Sequence, residues 1–107
     1  MGEIFSLDAL LAKRSKSRRA YLEFLRVPAL STGIYLLPAG ASDPQGPHHE
    51  DEIYHVVKGA AKIRLGADEQ PVRAGDVIFV KAGLEHHFFD IEEELVLLVV
   101  FAPAETT

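Results

Sequence analysis

Two short polar blocks carry the side chains of this chain that could do chemistry. The first runs from His48 to Glu52 and reads His-His-Glu-Asp-Glu, and the second is Glu85-His86-His87. Two imidazoles and a carboxylate that meet from separate strands form a set of metal ligands. A carboxylate alone in an apolar interior is strongly disfavoured by desolvation, and a divalent cation removes that penalty. The two blocks therefore predict a metal centre.

Strand parity indicates which members of the two blocks can meet. In a strand that begins near residue 52, Glu52 and Tyr54 share one face, and His86 begins the inward face of a later strand. His48 stands at the end of the preceding loop and could join them. The predicted metal ligands are His48, Glu52 and His86, with His49 as a further candidate, and Tyr54 is the predicted proton or hydrogen-bond donor. The histidines of opposite parity, His55 and His87, are predicted to face outward.

Two imidazoles and one carboxylate are the facial ligand set associated with non-haem iron. Imidazole also suits zinc, nickel and copper, and the carboxylate suits manganese. We expect a divalent metal cofactor, and the sequence leaves iron, manganese, zinc and nickel open.

Length, composition and charge exclude several other classes. The chain has 107 residues and no cysteine, so one domain without disulfides or thiolate metal sites is expected. The net charge is −5, which argues against nucleic acid as the main partner. The longest apolar run, Leu95 to Ala102, is too short to span a bilayer, and no signal peptide is recognised, so no membrane partner and a cytoplasmic location are expected.

Glycine and proline punctuation divides the chain into a short N-terminal helix and many short strands. Ser6 before an Asp-Ala-Leu-Leu-Ala run predicts a capped helix, and the basic residues after it (Lys13, Arg14, Lys16, Arg18 and Arg19) are predicted to form a solvated connection or helix end, with anion binding as the alternative. The predicted strands are Tyr21–Val27, Leu30–Leu37, Ile53–Lys58, Ala60–Leu65, Gln70–Arg73, Val77–Val80, His86–Phe89 and Leu95–Phe101. Strands at this spacing are typical of a sandwich or barrel. We expect residues 1–20 to form a helical, basic extension and residues 21–107 a single barrel domain.

Two of these strands are apolar on both faces, which predicts a second copy of the chain. Val77–Val80 and Leu95–Phe101 each present hydrophobic side chains in both directions. An exposed, flat apolar strand invites aggregation, so its outer side needs a cover. In so small a domain another subunit is the expected cover, and a homodimer is predicted.

The glycines, the acid and the histidine together resemble the two signature motifs of the cupin superfamily. The segment Gly46–Gly59 resembles the first motif, with Glu52 followed by six residues and then Gly59, and Gly75–Asp90 resembles the second. This resemblance implies a jelly-roll barrel, that is, an all-β double-stranded β-helix, with the short helix at its N-terminus, and cupins often dimerise.

The resemblance also implies the ligand positions. They fall on His48, Glu52 and His86, whereas the first histidine of the first motif falls on Gly46, which cannot ligate; His49 is the candidate to replace it, with Glu50 as a second. Otherwise Glu50 and Asp51 are expected to be solvated loop acids. In the second motif, Lys81 stands where proline is usual and Asp90 where asparagine is usual.

Three functions are compatible with such a site. The first is a metal-dependent enzyme that acts on a small polar organic molecule, by oxidation with dioxygen or by Lewis-acid isomerisation or hydrolysis. The alternative is a non-catalytic cupin that binds a small molecule or a metal as a sensor or store. The third is a metal-free, epimerase-like cupin with Tyr54 as the acid and His48 or His86 as the base.

Overall fold

The computed structural model describes residues 2–17 and 19–106, and Arg18 of the basic cluster lies outside the described residues. Within them the chain forms helix α1 (Leu7–Ser17) and strands β1 (Tyr21–Val27), β2 (Leu30–Leu37), β3 (Asp51–Leu65), β4 (Asp68–Arg73), β5 (Val77–Val80) and β6 (His86–Ala102). The paired strands are antiparallel and follow the order β1-β2-β6-β3-β4, with β5 paired to β3. The predicted all-β, double-stranded β-helix with a short N-terminal helix is confirmed.

Helix α1 begins after Ser6, as its capping signal predicts. The Ser6 carbonyl accepts a hydrogen bond from the amide of Leu10, and its hydroxyl oxygen accepts one from the amide of Ala9. The helix continues through Arg14 and Lys16. Lys13, Arg14 and Lys16 therefore lie at the helix end, one of the two predicted placements, where positive charges in the last turn interact favourably with the helix dipole.

Strands β3 and β6 are long, and each replaces two predicted strands and the turn between them. The sequence separates Ile53–Lys58 from Ala60–Leu65, and His86–Phe89 from Leu95–Phe101; the structure joins each pair into one strand. Gly59 lies inside β3 with φ +100° and Asp90 inside β6 with φ +47°. These residues introduce local irregularities into the ladder instead of ending it. A side chain at Gly59 would collide with the backbone of Glu94 on β6.

Helix α1 packs mainly against β1 and β2, and it covers the outer side of β6 only around Val96. Leu10 of the helix packs with Ile34 and Leu36 of β2 and with Val96 of β6 in a cluster separate from the main core. Part of the apolar outer face of β6 is therefore covered within the chain itself.

Strand β5 differs, because its outward side chains stay exposed. Val77 is 67% exposed and Phe79 is 59% exposed, and Ile53 pairs beside Phe79 with 42% exposure. The predicted homodimer stays a prediction.

Candidate metal centre

Three elements bring the predicted ligands together at one end of the barrel. Glu52 lies near the start of β3, where it pairs with Val80 of β5. The turn after Val80 leads directly to His86, the first residue of β6. The loop before β3 supplies His48, whose carbonyl accepts a hydrogen bond of 2.8 Å from the Gly83 amide in that turn. The ligand atoms of His48, Glu52 and His86 all lie within 4.8 Å of one another.

The centre of the group is a buried carboxylate without hydrogen bonds. The Glu52 side chain is 1% exposed, and neither of its oxygens has a hydrogen-bond partner. Oε1 lies 3.1 Å from His86 Nε2 and 3.9 Å from His48 Nε2. The contact between Glu52 Oε1 and His86 Nε2 is close, but it does not have hydrogen-bond geometry. His86 Nε2, like the two oxygens of Glu52, is therefore buried without a hydrogen-bond partner.

The tautomer of His86 follows from its second nitrogen. Nδ1 lies 2.8 Å from the Leu84 carbonyl, which can only accept, so Nδ1 carries the proton in the neutral ring. Nε2 then presents a lone pair towards Glu52. Burial lowers the pKa of His86, but Glu52 and the Leu84 carbonyl outweigh burial and leave it raised from its ordinary value of 6.5. A proton or a cation is therefore favoured at this point.

His48 is held from both sides of its ring. Its Nδ1 lies 3.3 Å from Glu105 Oε2, and its Nε2 lies 3.1 Å from Gln45 Oε1. The ring also packs edge-on against Phe101, with centroids 4.8 Å apart. A proton on Nδ1 would face the Glu105 carboxylate and leave the Nε2 lone pair for the centre, an arrangement typical of histidines that bind metals.

The segment that supplies Glu105 is the C-terminal tail (residues 103–106), which crosses the barrel end. The Glu105 amide donates to Ser31 Oγ at 2.9 Å, and its carbonyl accepts from Arg26 Nη2 at 2.8 Å. The Thr106 hydroxyl and amide donate to Glu50 Oε2 at 2.7 and 3.1 Å. Glu105 lies among other acids, and its pKa is raised, first by burial and then by Glu50 and other carboxylates, against the opposing effect of His48.

Glu50 departs from its predicted role as a solvated loop acid. Its side chain is buried, and its carboxylate accepts the two hydrogen bonds from Thr106. Burial by itself would raise the pKa of Glu50, but these hydrogen bonds lower it below its ordinary value. Glu50 therefore fastens the C-terminal tail.

Asp43 organises the loop that carries His48. Its carboxylate accepts a hydrogen bond from the Tyr35 hydroxyl at 2.7 Å, from the Phe88 amide at 2.9 Å and from Gln45 Nε2 at 2.8 Å. This buried group connects β2, β6 and the loop. Sequence reasoning missed Asp43, Gln45 and Glu105. Asp43 and Gln45 could have been noticed as an acid and an amide in the Pro/Gly-rich loop just before His48. Glu105 carries no such signal.

The remaining predicted residues face inward or outward as their parity along the strand indicates. Tyr54 is fully buried at the base of the group, with its ring 6.0 Å from that of His86, and its hydroxyl has no hydrogen-bond partner. Burial, and then the charge of Glu52, raise the pKa of Tyr54 well above its ordinary value, so the hydroxyl keeps its proton. His49 is exposed and is not brought to the group, since its neighbours His48 and Glu50 take the inward positions. The predicted outward histidines, His55 and His87, are only partly buried.

A cavity of about 190 Å³ opens beside the group. Its lining includes the polar side chains Gln45, His48, Glu52 and Glu105, and the remainder is Tyr21, Tyr35, Val99 and Phe101. Among the described residues, no lysine or arginine lines it. The lining therefore favours a cation at its polar side, with aromatic and apolar walls for a small ligand.

These observations fit a divalent cation held by His48, Glu52 and His86. Nitrogen and oxygen donors of this kind suit first-row metals. A cation would provide a partner for both Glu52 and His86 Nε2, which otherwise remain buried without one.

Comparison with known proteins shows the family. The cupin domain family matches residues 33–101, and the chain belongs to this family. An uncharacterised protein of Streptomyces coelicolor is 47% identical over 102 residues, which cover 95% of this chain and 97% of the relative.

Two solved structures are also similar over nearly the whole chain. The Thermus thermophilus protein TT1209 has a TM-score of 0.79 and 25% identity, with 96% of this chain and 99% of that chain covered. A Klebsiella pneumoniae protein with a double-stranded β-helix domain also has a TM-score of 0.79, at 21% identity, with 96% and 91% covered. The second likeness shows the fold alone. Within the described ranges, no helix has the length and apolar character needed to cross a membrane.

Proposed function

We propose that this chain is a metal-dependent cupin enzyme in which His48, Glu52 and His86 hold a divalent cation. The observation that carries the proposal is the carboxylate of Glu52, which is buried, has no hydrogen-bond partner and faces two imidazoles. Leaving such a charge uncompensated costs several kcal/mol. A bound cation would compensate this buried charge, so the position favours cation binding.

The residues around the cation divide the chemical tasks. When bound, the cation supplies a Lewis acid or, as iron, a centre for reaction with dioxygen. Tyr54 retains its proton, but it lies beside His86 and outside the lining of the cavity, so its hydroxyl can act on the ligand residues of the centre and not on a molecule in the cavity. Tyr21, Tyr35 and Phe101 form the aromatic part of the cavity wall.

The substrate we propose is a small polar organic molecule that reaches the cation through an oxygen atom. The cavity of about 190 Å³ is smaller than the roughly 300–1,000 Å³ typical of drug-sized ligands. Its acidic lining disfavours additional negative charge away from the cation. We further propose a cytoplasmic protein without a nucleic-acid partner, which the acidic net charge and the lack of cysteine support.

Metal analysis of the purified protein tests the site. We expect one divalent ion per chain, removed by a chelator and restored by iron, manganese, zinc or nickel. His86→Ala should lose this ion and still fold, whereas His87→Ala, the adjacent and partly exposed histidine, should retain it. Elemental analysis and a competition titration with a chromophoric chelator measure both. Full occupancy in His86→Ala would remove His86 from the site, and a wild-type protein that binds no ion would contradict the proposal.

Turnover separates an enzyme from a binding protein. Dioxygen consumption by the iron-loaded protein, measured with a panel of small thiols, diketones and catechols, tests oxidation. Product analysis with the zinc or manganese form tests isomerisation and hydrolysis. Stoichiometric metal without turnover in any arm would favour the sensor or storage function.

A further inference from the structure

The ring of His48 meets acceptors at both of its nitrogens. Nδ1 faces the Glu105 carboxylate at 3.3 Å, while Nε2 faces Gln45 Oε1 at 3.1 Å and Glu52 Oε1 at 3.9 Å. A neutral imidazole carries one proton and can serve only one of these sides. Without metal, Nε2–H can donate to Gln45 Oε1; a bound cation would take the Nε2 lone pair, so the proton would then belong on Nδ1, beside Glu105. The lone pair of Nε2 then faces two oxygens.

The orientation of the Gln45 amide is settled by Asp43. The hydrogen-bonding groups around Asp43 are donors, namely the Tyr35 hydroxyl, the Phe88 amide and the amide groups of Gln45. A carboxylate in this setting only accepts, so the NH₂ group of Gln45 must face it, at 2.8 Å. The carbonyl oxygen, Oε1, is thereby turned towards His48 Nε2. An exchange of the amide oxygen and nitrogen would place Oε1 against the Asp43 carboxylate and lose this hydrogen bond.

We propose that Gln45 Oε1 is a fourth protein ligand of the metal centre, oriented by Asp43. This inference rests on the proposed function, because it concerns the same cation. A separation of 3.1 Å between Gln45 Oε1 and His48 Nε2 matches two donors that occupy adjacent positions around one ion with bonds near 2.1 Å. An amide oxygen is a neutral donor that suits the same hard and borderline cations as a carboxylate.

The inference explains how the centre accommodates Gly46. Gly46 has no side chain to offer, and His49, the candidate to replace it, is exposed. Gln45 lies immediately before Gly46, lines the cavity, and is partly buried. The Asp43 contacts turn this residue inward, so the loop delivers an oxygen donor without an imidazole.

Two variants test the ligand, and the first of them keeps the bulk of the side chain it replaces. Gln45→Leu removes the donor oxygen, and His49→Ala removes a nearby exposed imidazole as the matched control. The metal-stripped proteins are titrated with Co²⁺ and Zn²⁺ in competition with a chromophoric chelator, and thermal unfolding of the stripped forms verifies the fold. We expect Gln45→Leu to weaken binding by about 10–100-fold, the size of effect typical of residues that complete a metal site, and His49→Ala to bind as the wild type does.

A spectroscopic and a structural measurement distinguish ligation from packing. Loss of an oxygen ligand should change the position and intensity of the visible Co²⁺ bands in Gln45→Leu, whereas a merely structural role would weaken binding and leave the bands unchanged. In a crystal structure of the Zn²⁺-loaded wild type, Gln45 Oε1 should lie about 2.0–2.2 Å from the ion. Bands and affinity equal to the wild type, or an oxygen beyond bonding distance, would overturn the inference while the three-ligand site stands. A wild type that binds neither ion would overturn both proposals.

Discussion

The two halves of the metal centre are held in place in different ways. The strand half, Glu52 and His86, stands on paired strands in the core and is almost completely buried. The loop half, Gln45, His48 and Glu105, comes from a loop and from the C-terminal tail, and the His48 side chain is 17% exposed. In the strand half the ladder fixes position, whereas in the loop half a few side-chain hydrogen bonds do. The strand half therefore defines where the cation binds, and the loop half adjusts how it binds.

A substitution in the strand half should produce the largest effect. It should lower the metal affinity and raise the stability of the metal-free protein. In Glu52→Gln the charged ligand is lost, so we expect metal affinity to fall by more than about 100-fold. The metal-free variant should unfold at a higher temperature than the metal-free wild type in alkaline buffer, where His86 is neutral. The reason is that an uncompensated buried charge has been removed, with about 4–8 °C for each kcal/mol recovered.

Isothermal titration and calorimetry measure the two quantities. Glu85→Gln, an exposed acid one residue before His86, is the control and should alter neither. A destabilised metal-free Glu52→Gln would show that the carboxylate is satisfied by the protein alone.

Breaking the loop half should weaken the centre without abolishing it. Glu105→Ala removes the carboxylate beside His48 Nδ1, so the Nδ1–H form that a bound cation requires loses its charged neighbour. We expect metal affinity to fall by about 10-fold, at the lower end for partners of this type. Glu105→Gln retains an oxygen that can accept from Nδ1–H and should restore part of the loss. Equal affinities in all three proteins would show that the tail does not orient His48.

The smallest expected effect is the pH dependence of the melting temperature, which arises from His86 in the strand half. The pKa of His86 is raised, so its charged form is favoured in the metal-free fold. This contribution to stability is fully present below the pKa of His86 in the unfolded chain, about 6.5. It is lost as pH rises through the higher pKa of His86 in the folded protein. The melting temperature of the chelator-treated protein should therefore decrease slightly over that range. With saturating metal the trend should reverse, because protons compete for the ligand nitrogens. Glu52→Gln should remove the trend in the metal-free protein; an unchanged slope there would assign it to another group.

The strand half could be predicted from sequence because it depends on a short-range rule. Alternation along β3 and β6 determines that Glu52, Tyr54 and His86 face inward once the strands are recognised. The same rule cannot detect that Gly59 and Asp90 continue a strand, since a residue with positive φ is also typical of a turn.

The loop half depends on contacts between distant residues, which periodicity does not reveal. Asp43 meets Phe88 across 45 positions, Thr106 meets Glu50 across 56, and Glu105 meets Ser31 across 74. Glu50 illustrates the difficulty, because it was predicted as a solvated acid and its partner lies at the far end of the chain. Only the folded arrangement could identify these partners.

The position of α1 has a consequence for protein engineering. The recognised family segment, residues 33–101, excludes both α1 and β1. A fragment trimmed to that segment would leave Leu36 and Val96 without Leu10 above them and would also remove the neighbouring strand of β2. Such a fragment would expose apolar side chains and an unpaired strand edge to solvent, and it would precipitate or self-associate. Expression of this protein in a shortened form should therefore retain its N-terminal residues.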